Sequence, residues 1–244
     1  MALKLNFLYF FIKSVFEGRG LLDRIVSIIG GTGPEGTGLA LRLGLVGVEV
    51  IIGSRKDSKA KVCAEKLNHT VGEDMFKGYE NPVAAEKGDI VVISVPFKYQ
   101  EQTLQSIKNK LSEEKIIVDV CNPIKVIEKN VFTMQPVPTG SSAEQVQKIF
   151  GSIPVVCAFK TISAILLQNL GYNVDCTNFI CGDYEEAKKE IMELSEKIPG
   201  LKSLDVGPLI SSRLIEAIVP LILMINQKYG TKMTSIKVLL NGSL

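Results

Sequence analysis

Apolar residues along this chain fall into two alternating arrangements. Short unbroken runs of aliphatic and β-branched side chains give way to stretches in which apolar positions recur every three or four residues. The runs Ile25–Ile29, Val48–Ile52, Asp89–Val95, Ile116–Val120 and Val155–Phe159 predict buried strands with no polar face, as a parallel sheet covered on both sides requires. Between them the helical spacing predicts a helix opening at Gly36, another over Ser58–Leu67 with Ala60, Cys63, Ala64 and Leu67 on one face, and a third over Gln102–Leu111. Gly78–Glu80 reads as a short strand, with Asn81 as a cap before the first-turn Pro82. Ser141 and Ser142, with Glu144 and Gln145 three residues on, predict a capped helix.

Strand and helix in strict alternation predict an α/β fold: a Rossmann-type, doubly wound, mainly parallel sheet closed by Val155–Phe159. After about residue 160 the elements are less regular. Ser163–Leu170 is a short helix ended by Gly171, Phe179–Asp183 a strand, Glu185–Lys197 an amphipathic helix and Leu201–Val206 an extended piece. Ser211–Ile225 is apolar almost all round, with Pro220 inside it as a kink, and such a helix belongs in a core or against another subunit. The expected organisation is an apolar N-terminal extension over 1–23, a nucleotide-binding domain over 24–160, and a smaller C-terminal α/β unit over 161–244 packed on it.

The join between the first strand and the first helix carries the chemistry. Ile25–Ile29 runs into Gly31-x-Gly33-x-x-Gly36, the arrangement a dinucleotide pyrophosphate needs. Gly31 permits the tight turn, Gly33 admits the phosphates without a Cβ in the way, and Gly36 brings helix and strand together. The helix start then offers free N–H groups and a positive dipole end to the anion. The second strand ends in Gly53–Ser54–Arg55–Lys56. NAD-binding folds place a carboxylate about twenty residues past the glycines, where it accepts from the ribose 2′-hydroxyl. Here that place holds Ser54 and Arg55, which donate instead, and Lys59 stands one helical turn further. A 2′-phosphate carries about −1.5 to −2 charge and suits these donors, so the expected cofactor is NADP.

Composition adds little to this picture but removes several classes. The 244 residues are 46% hydrophobic and 22% charged, with 28 Lys and Arg against 26 Asp and Glu, which gives no nucleic-acid signature. Cys63, Cys121, Cys157, Cys176 and Cys181 are scattered without paired spacing, and with a single His69 they make no zinc site, so no metal is expected. Reduced thiols suit a cytoplasmic protein. Leu3–Val15 is strongly apolar yet too short for a helix of about twenty residues across a bilayer. It also lacks a cleavage site of the signal-peptide kind, and no clear membrane span is expected.

Gly30–Gly31–Thr32–Gly33 through Leu39–Ala40, Gly53–Ser54–Arg55, Gly182–Asp183, and above all Gly207–Pro208–Leu209 with Ser212–Arg213–Leu214–Ile215–Glu216 and Pro220–Leu223, resemble the NADPH-dependent coenzyme F420 reductases over residues 24–240. The resemblance implies reversible hydride transfer between NADP(H) and F420, an 8-hydroxy-5-deazaflavin coenzyme, in a homodimer. By position it implies that the adenosine phosphate meets Ser54, Arg55 and Lys59, the pyrophosphate Thr32, Gly33, Pro34 and Glu35, and the nicotinamide Val95, Phe97 and Ala164. Four departures stand out. Pro34–Glu35 replaces an asparagine and an apolar residue, Phe97 a tryptophan, Lys160 a histidine and Ser163 a proline. Pro34 loses an N–H, and Glu35 must point away from the pyrophosphate or weaken its binding.

Hydride transfer between two rings requires no acid or base from the protein, only facing rings about 3–3.5 Å apart in a dry cleft. No catalytic side chain is named on this reading. The strand ends Val95–Pro96–Phe97 and Asn122–Pro123 face the nicotinamide half of the site. Two alternatives stay open: another NADP-dependent reductase acting on a small carbonyl or ferric substrate, with Lys160 as a proton donor, and a non-catalytic NADP-binding sensor or subunit.

Overall fold

A computed structural model describes residues 24–240 of the chain; the apolar extension over 1–23 lies outside them. Its first half is a regular strand–helix repeat. β1 (Val26–Ile29) leads to helix α1 (Pro34–Leu45), β2 (Val50–Ser54) to α2 (Asp57–Val71), and β3 (Phe76–Glu80) to α3 (Asn81–Lys87). β4 (Ile90–Ile93) and α4 (Gln100–Ile107) follow, joined by a 3-10 turn over Phe97–Tyr99. β5 (Ile116–Asp119), helix α5 (Ser142–Phe150) and β8 (Val155–Cys157) complete the parallel part, with an antiparallel hairpin of β6 (Ile124–Glu128) and β7 (Val131–Met134) inserted before α5. Apart from the edge strand β3, each of these parallel strands is buried because helices cover both faces. One layer gathers Ile28, Leu39, Ile52 and Val92, the other Ile29, Ile51, Ile93, Leu104 and Val146.

Among the described residues eight strands form one sheet in the order β10-β9-β8-β5-β4-β1-β2-β3. The order reverses between β1 and β4, so the connections leave these neighbours in opposite directions and a crevice opens beyond their carboxyl ends. The sheet does not close at Val155–Phe159. β9 (Cys176–Gly182) pairs antiparallel with β8 through Val156↔Gly182 and Cys157↔Cys181, and β10 (Leu201–Asp205) then runs parallel to β9. Cys176–Ile180 therefore runs past the end of β8, and the C-terminal α/β unit is joined edge-on. Its helices are α6 (Ala164–Gln168), α7 (Glu185–Glu196) and α8 (Ser212–Tyr229).

Several boundaries differ from the sequence reading for local reasons. α1 opens at Pro34 rather than Gly36, because Gly33 already has the extended backbone of an N-cap and proline suits the first helical turn. α2 runs on to Val71 and takes in His69; Gly72, in the left-handed region, ends it. Asn81 caps nothing: it lies inside α3, and its Oδ1 accepts from the Gly30 N–H at 3.3 Å. α8 is not apolar all round in its setting. Ile215, Glu216, Val219 and Ile222 are buried, whereas Leu214 and Leu221 are 74% and 52% exposed. By length and composition the segment Leu209–Tyr229 passes for a membrane span, but its buried face meets protein and includes a paired glutamate.

Candidate functional site

A cavity of about 700 Å³ lies beyond the carboxyl ends of β1, β2, β4 and β5, within the range of small-molecule sites. Thr32, Gly33, Pro34, Glu35, Ser54, Arg55, Lys59, Val95 and Phe97, all expected at the nucleotide, line it. Gly31 and Gly36 do not. They shape the turn beneath: a Cβ on Gly36 would stand 2.7 Å from the Gly31 Cα, so the helix start and the strand end touch backbone to backbone. At Gly33 an added Cβ would meet only the Gly30 carbonyl oxygen at 3.5 Å, leaving open space where a ligand's phosphates would need it. Ala164 is also absent from the lining. It starts α6, and its carbonyl oxygen lies 3.2 Å from where a Cβ on Gly38 would sit, on the packed side of α1.

The ribose end is cationic. Arg55, Lys56 and Lys59 are exposed at the rim, and none of them belongs to an ion pair among the described residues. The neighbouring carboxylate, Asp57, is occupied by Lys61 at 2.7 Å. Ser54 is buried at the end of β2, and the Arg55 guanidinium stands 5.7 Å from the centre of the Tyr99 ring. Donors without acceptors at this place fit a phosphate monoester and would leave a carboxylate-type ribose contact unmade. At the other end Val95, Pro96, Phe97, Cys121 and Asn122 form the wall. Tyr99 and Thr103 were not singled out from the sequence, and Asn81 was read only as a helix cap. The proline after β4 and the aromatic spacing Phe97-x-Tyr99 were the available signals for the first two.

Glu35 is one of the residues lining the cavity; its Oε1 is shut off from solvent and without a hydrogen-bond partner, and burial pushes its pKa up to about 8. Burial thus favours the neutral acid at a place where a carboxylate would repel an anion.

Behind the wall lies a buried ionic cluster. Lys160 Nζ meets Asp119 Oδ2 at 2.7 Å and Glu216 Oε1 at 3.0 Å, with all three side chains at most 1% exposed, and it also donates to the Cys121 carbonyl. Gln100 donates to Asp119 at 2.9 Å, and the Ser142 N–H at the start of α5 donates to both Glu216 oxygens at 3.1 Å. The Lys160 carbonyl accepts from Asn122 Nδ2 at 3.1 Å, so the cluster fixes the turn that bounds the cavity. Phe159 beside it takes φ 58°, costly for a bulky residue, with its N–H held by Asn178 Oδ1 at 2.7 Å. On the opposite side Arg42 donates to the carbonyls of Leu166, Leu167, Asn169 and Tyr172 at 2.8–2.9 Å and anchors that loop to α1. Gln168 from the same segment donates to the Pro34 carbonyl at 2.6 Å, at the phosphate-binding turn itself.

The chain matches the family model described as NADP oxidoreductase, coenzyme F420-dependent, over residues 25–123. It is 39% identical over 219 residues to an F420-dependent NADP reductase of Methanocaldococcus jannaschii, covering 87% of this chain and 97% of that one. It is 35% identical over 218 residues to the protein of the same name from Methanothermobacter thermautotrophicus, covering 87% and 94%. A crystal structure from Arthrobacter sp. FB24, assigned as an F420-dependent NADP reductase, superposes with a TM-score of 0.75 at 25% identity over 89% of this chain and 99% of that one. The glycine turn, the unpaired cations at the ribose end and the C-terminal unit on the sheet edge thus occur in a chain whose likeness extends through both halves, and the chain belongs to the F420-dependent NADP reductase family.

Proposed function

We propose that this chain carries hydride reversibly between NADP(H) and coenzyme F420, with NADP(H) in the cavity beyond β1, β2, β4 and β5. The observation that carries the reading is the cluster of the Ser54 hydroxyl with Arg55 and Lys59, two cations outside any ion pair among the described residues, at one end of a cavity whose floor is the Gly31–Gly36 turn. Thr32, Gly33, Pro34 and Glu35 receive the pyrophosphate, and the free N–H groups of the first turn of α1 favour its charge. Val95 and Phe97 supply an apolar wall at the nicotinamide half. Ala164 keeps its place in the proposed site through the family resemblance alone, because it stands outside the cavity lining.

The nicotinamide and deazaflavin rings supply the hydride chemistry when bound. The protein's part is to hold, orient and exclude water. Lys160 is no proton donor to a substrate: its ammonium is fully buried and bound to two carboxylates and a carbonyl. That weakens the carbonyl-reductase alternative, which requires a proton for the alkoxide. Residues 24–160 act as the nucleotide domain and 161–244 as the second-substrate and dimerisation unit. The exposed Leu214 and Leu221 of α8 and Val126 and Ile127 of β6 suit a homodimer, and five free cysteines suit the cytoplasm.

The test is direct. With NADPH and oxidised F420 the purified protein is expected to bleach the deazaflavin's visible absorbance, and with NADP and the reduced coenzyme to restore it. A deuterium label on nicotinamide C4 is expected at deazaflavin C5. Reduction of a small carbonyl without reduction of F420 would refute the substrate assignment while leaving the nucleotide site standing.

A further inference from the structure

Pro34 and Glu35 are the first two residues of α1, and both line the cavity. The helix has no side-chain cap at Gly33, so its first turn presents backbone N–H groups to whatever anion lies there. Pro34 contributes none, which removes one donor from a turn whose task is to donate. The next residue, Glu35, lines the same cavity and carries a carboxyl with one oxygen buried and unpartnered.

No neighbouring element neutralises that carboxyl. Neither β1 (Val26–Ile29), β2 (Val50–Ser54) nor α6 (Ala164–Gln168) carries a titratable group, and on its own helix Arg42 is committed to four carbonyls. The turn after β2 and the start of α2 bring Arg55, Lys56 and Lys59 to the far rim of the cavity, with Asp57 paired to Lys61. Tyr99 follows β4 and Cys121 follows β5. Glu35 bonds to none of these, and burial alone accounts for its reluctance to ionise.

We propose that Glu35 binds the dinucleotide as a carboxylic acid, its O–H donating to a pyrophosphate oxygen in place of the N–H that Pro34 lacks. The two adjacent departures from the family pattern then compensate for each other, and nucleotide binding becomes linked to a proton. In the free protein burial pushes the acid's pKa up to about 8. An anion alongside raises that value further, because it disfavours the charged form. Below about pH 8 the proton is present in both states and affinity is flat; above it, binding must draw a proton from solvent and weakens as pH rises. The inference rests on the NADP reading of the cavity.

The experiment is calorimetric titration of the protein with NADP+ across this range, in paired buffers that differ in ionisation enthalpy. Wild type is expected to lose about 25-fold in affinity between about pH 7.5 and 9.5, and to take up close to one proton per nucleotide at the upper end. The 2′-phosphate, with its second pKa at about 6, is already ionised throughout and contributes no such slope. Glu35→Gln keeps a donor but cannot ionise, and its affinity is expected to be flat with no proton uptake. Proton uptake by wild type needs no variant and stands even where Glu35→Gln fails to fold. A flat wild-type profile without uptake overturns the proposal, as does an unchanged slope in Glu35→Gln. Failure of wild type to bind NADP+ at any pH would instead refute the nucleotide reading beneath it.

Discussion

Replacing Lys160 with methionine removes a buried cation while nearly conserving volume, and the structure lets the consequence be worked through. Nζ serves Asp119 at 2.7 Å and Glu216 at 3.0 Å in a region closed to water. After the substitution Asp119 keeps its bond from Gln100 and Glu216 keeps the Ser142 N–H, but two carboxyls share a dry site with no counter-charge. Breaking a buried pair by deleting one partner costs about 3–5 kcal/mol. At roughly 2–4 °C per kcal/mol for a chain of this size, the melting temperature falls by about 6–20 °C. Burial, and to a lesser degree Asp119, already hold Glu216 above the ordinary carboxylate range, with Lys160 opposing them. Without Lys160 it rises further. The folded variant then binds more protons than the unfolded chain above about pH 4.3, so its stability falls as pH rises and recovers on acidification. In wild type the lysine's own ionisation is raised, so its contribution is fully present below about pH 10.4 and constant across the neutral range. Denaturant unfolding of wild type, Lys160→Met, and Lys160→Met with Asp119→Asn and Glu216→Gln, at about pH 5.5 and 8, separates these effects. The triple variant is expected to regain much of the loss. A Lys160→Met deficit under about 1 kcal/mol at the higher pH, or one that does not shrink at the lower, would refute the reasoning.

Three further outcomes follow from the same geometry. Wild type is expected to bind NADPH at least about tenfold tighter than NADH, a difference of about 1.4 kcal/mol, and Arg55→Glu to reverse that preference or abolish binding in a fluorescence titration. Arg42→Met leaves four carbonyls without their donor and is expected to cost about 3 kcal/mol, with faster amide hydrogen exchange confined at first to residues 166–172. Gly36→Ala drives a Cβ to 2.7 Å from the Gly31 backbone, so nucleotide affinity is expected to fall at least about tenfold; unchanged affinity would show that the turn yields more freely than its packing implies.

What the chain disclosed in advance follows physical range. The parallel strands and the Gly31–Gly36 turn are local patterns, set by burial on both faces and by backbone clearance, and they were legible residue by residue. The reversal at β9 was not. The run Cys176–Gly182 has the same apolar character whichever way it lies, and only the two-pair contact with the short β8 fixes its direction. The hairpin over Ile124–Met134 also escaped notice, although its turn, Lys129–Asn130, contains an asparagine at φ 65°, a residue tolerant of that backbone. Its strands are half-buried or exposed, so they lack the apolar signal of the core. The cluster of Lys160, Asp119 and Glu216 brings together residues far apart in sequence, and no spacing rule finds such a meeting. Asn81 shows the opposite error, for a local cap motif was overridden by a long-range bond to Gly30. At Glu35 the position was legible but the protonation state was not, because that depends on burial.

The way the sheet ends has a consequence for life in a crowded solution. An open sheet finishes on strands whose outer backbone groups can recruit another chain, and long, flat, apolar edges invite fibres. Here the two outermost strands are β3, with Lys77 and Glu80, and β10, with Lys202 and Asp205, five residues each, with Lys77, Glu80, Lys202 and Asp205 exposed. A strand docking on either edge must desolvate ammonium and carboxylate groups along its length. The apolar interior strands, which would be hazardous if bared, are thus fenced at both margins. Neutralising Lys77 and Lys202 together would thin that fence without touching the site, leaving Glu80 and Asp205 as the only charges guarding the ends of the sheet.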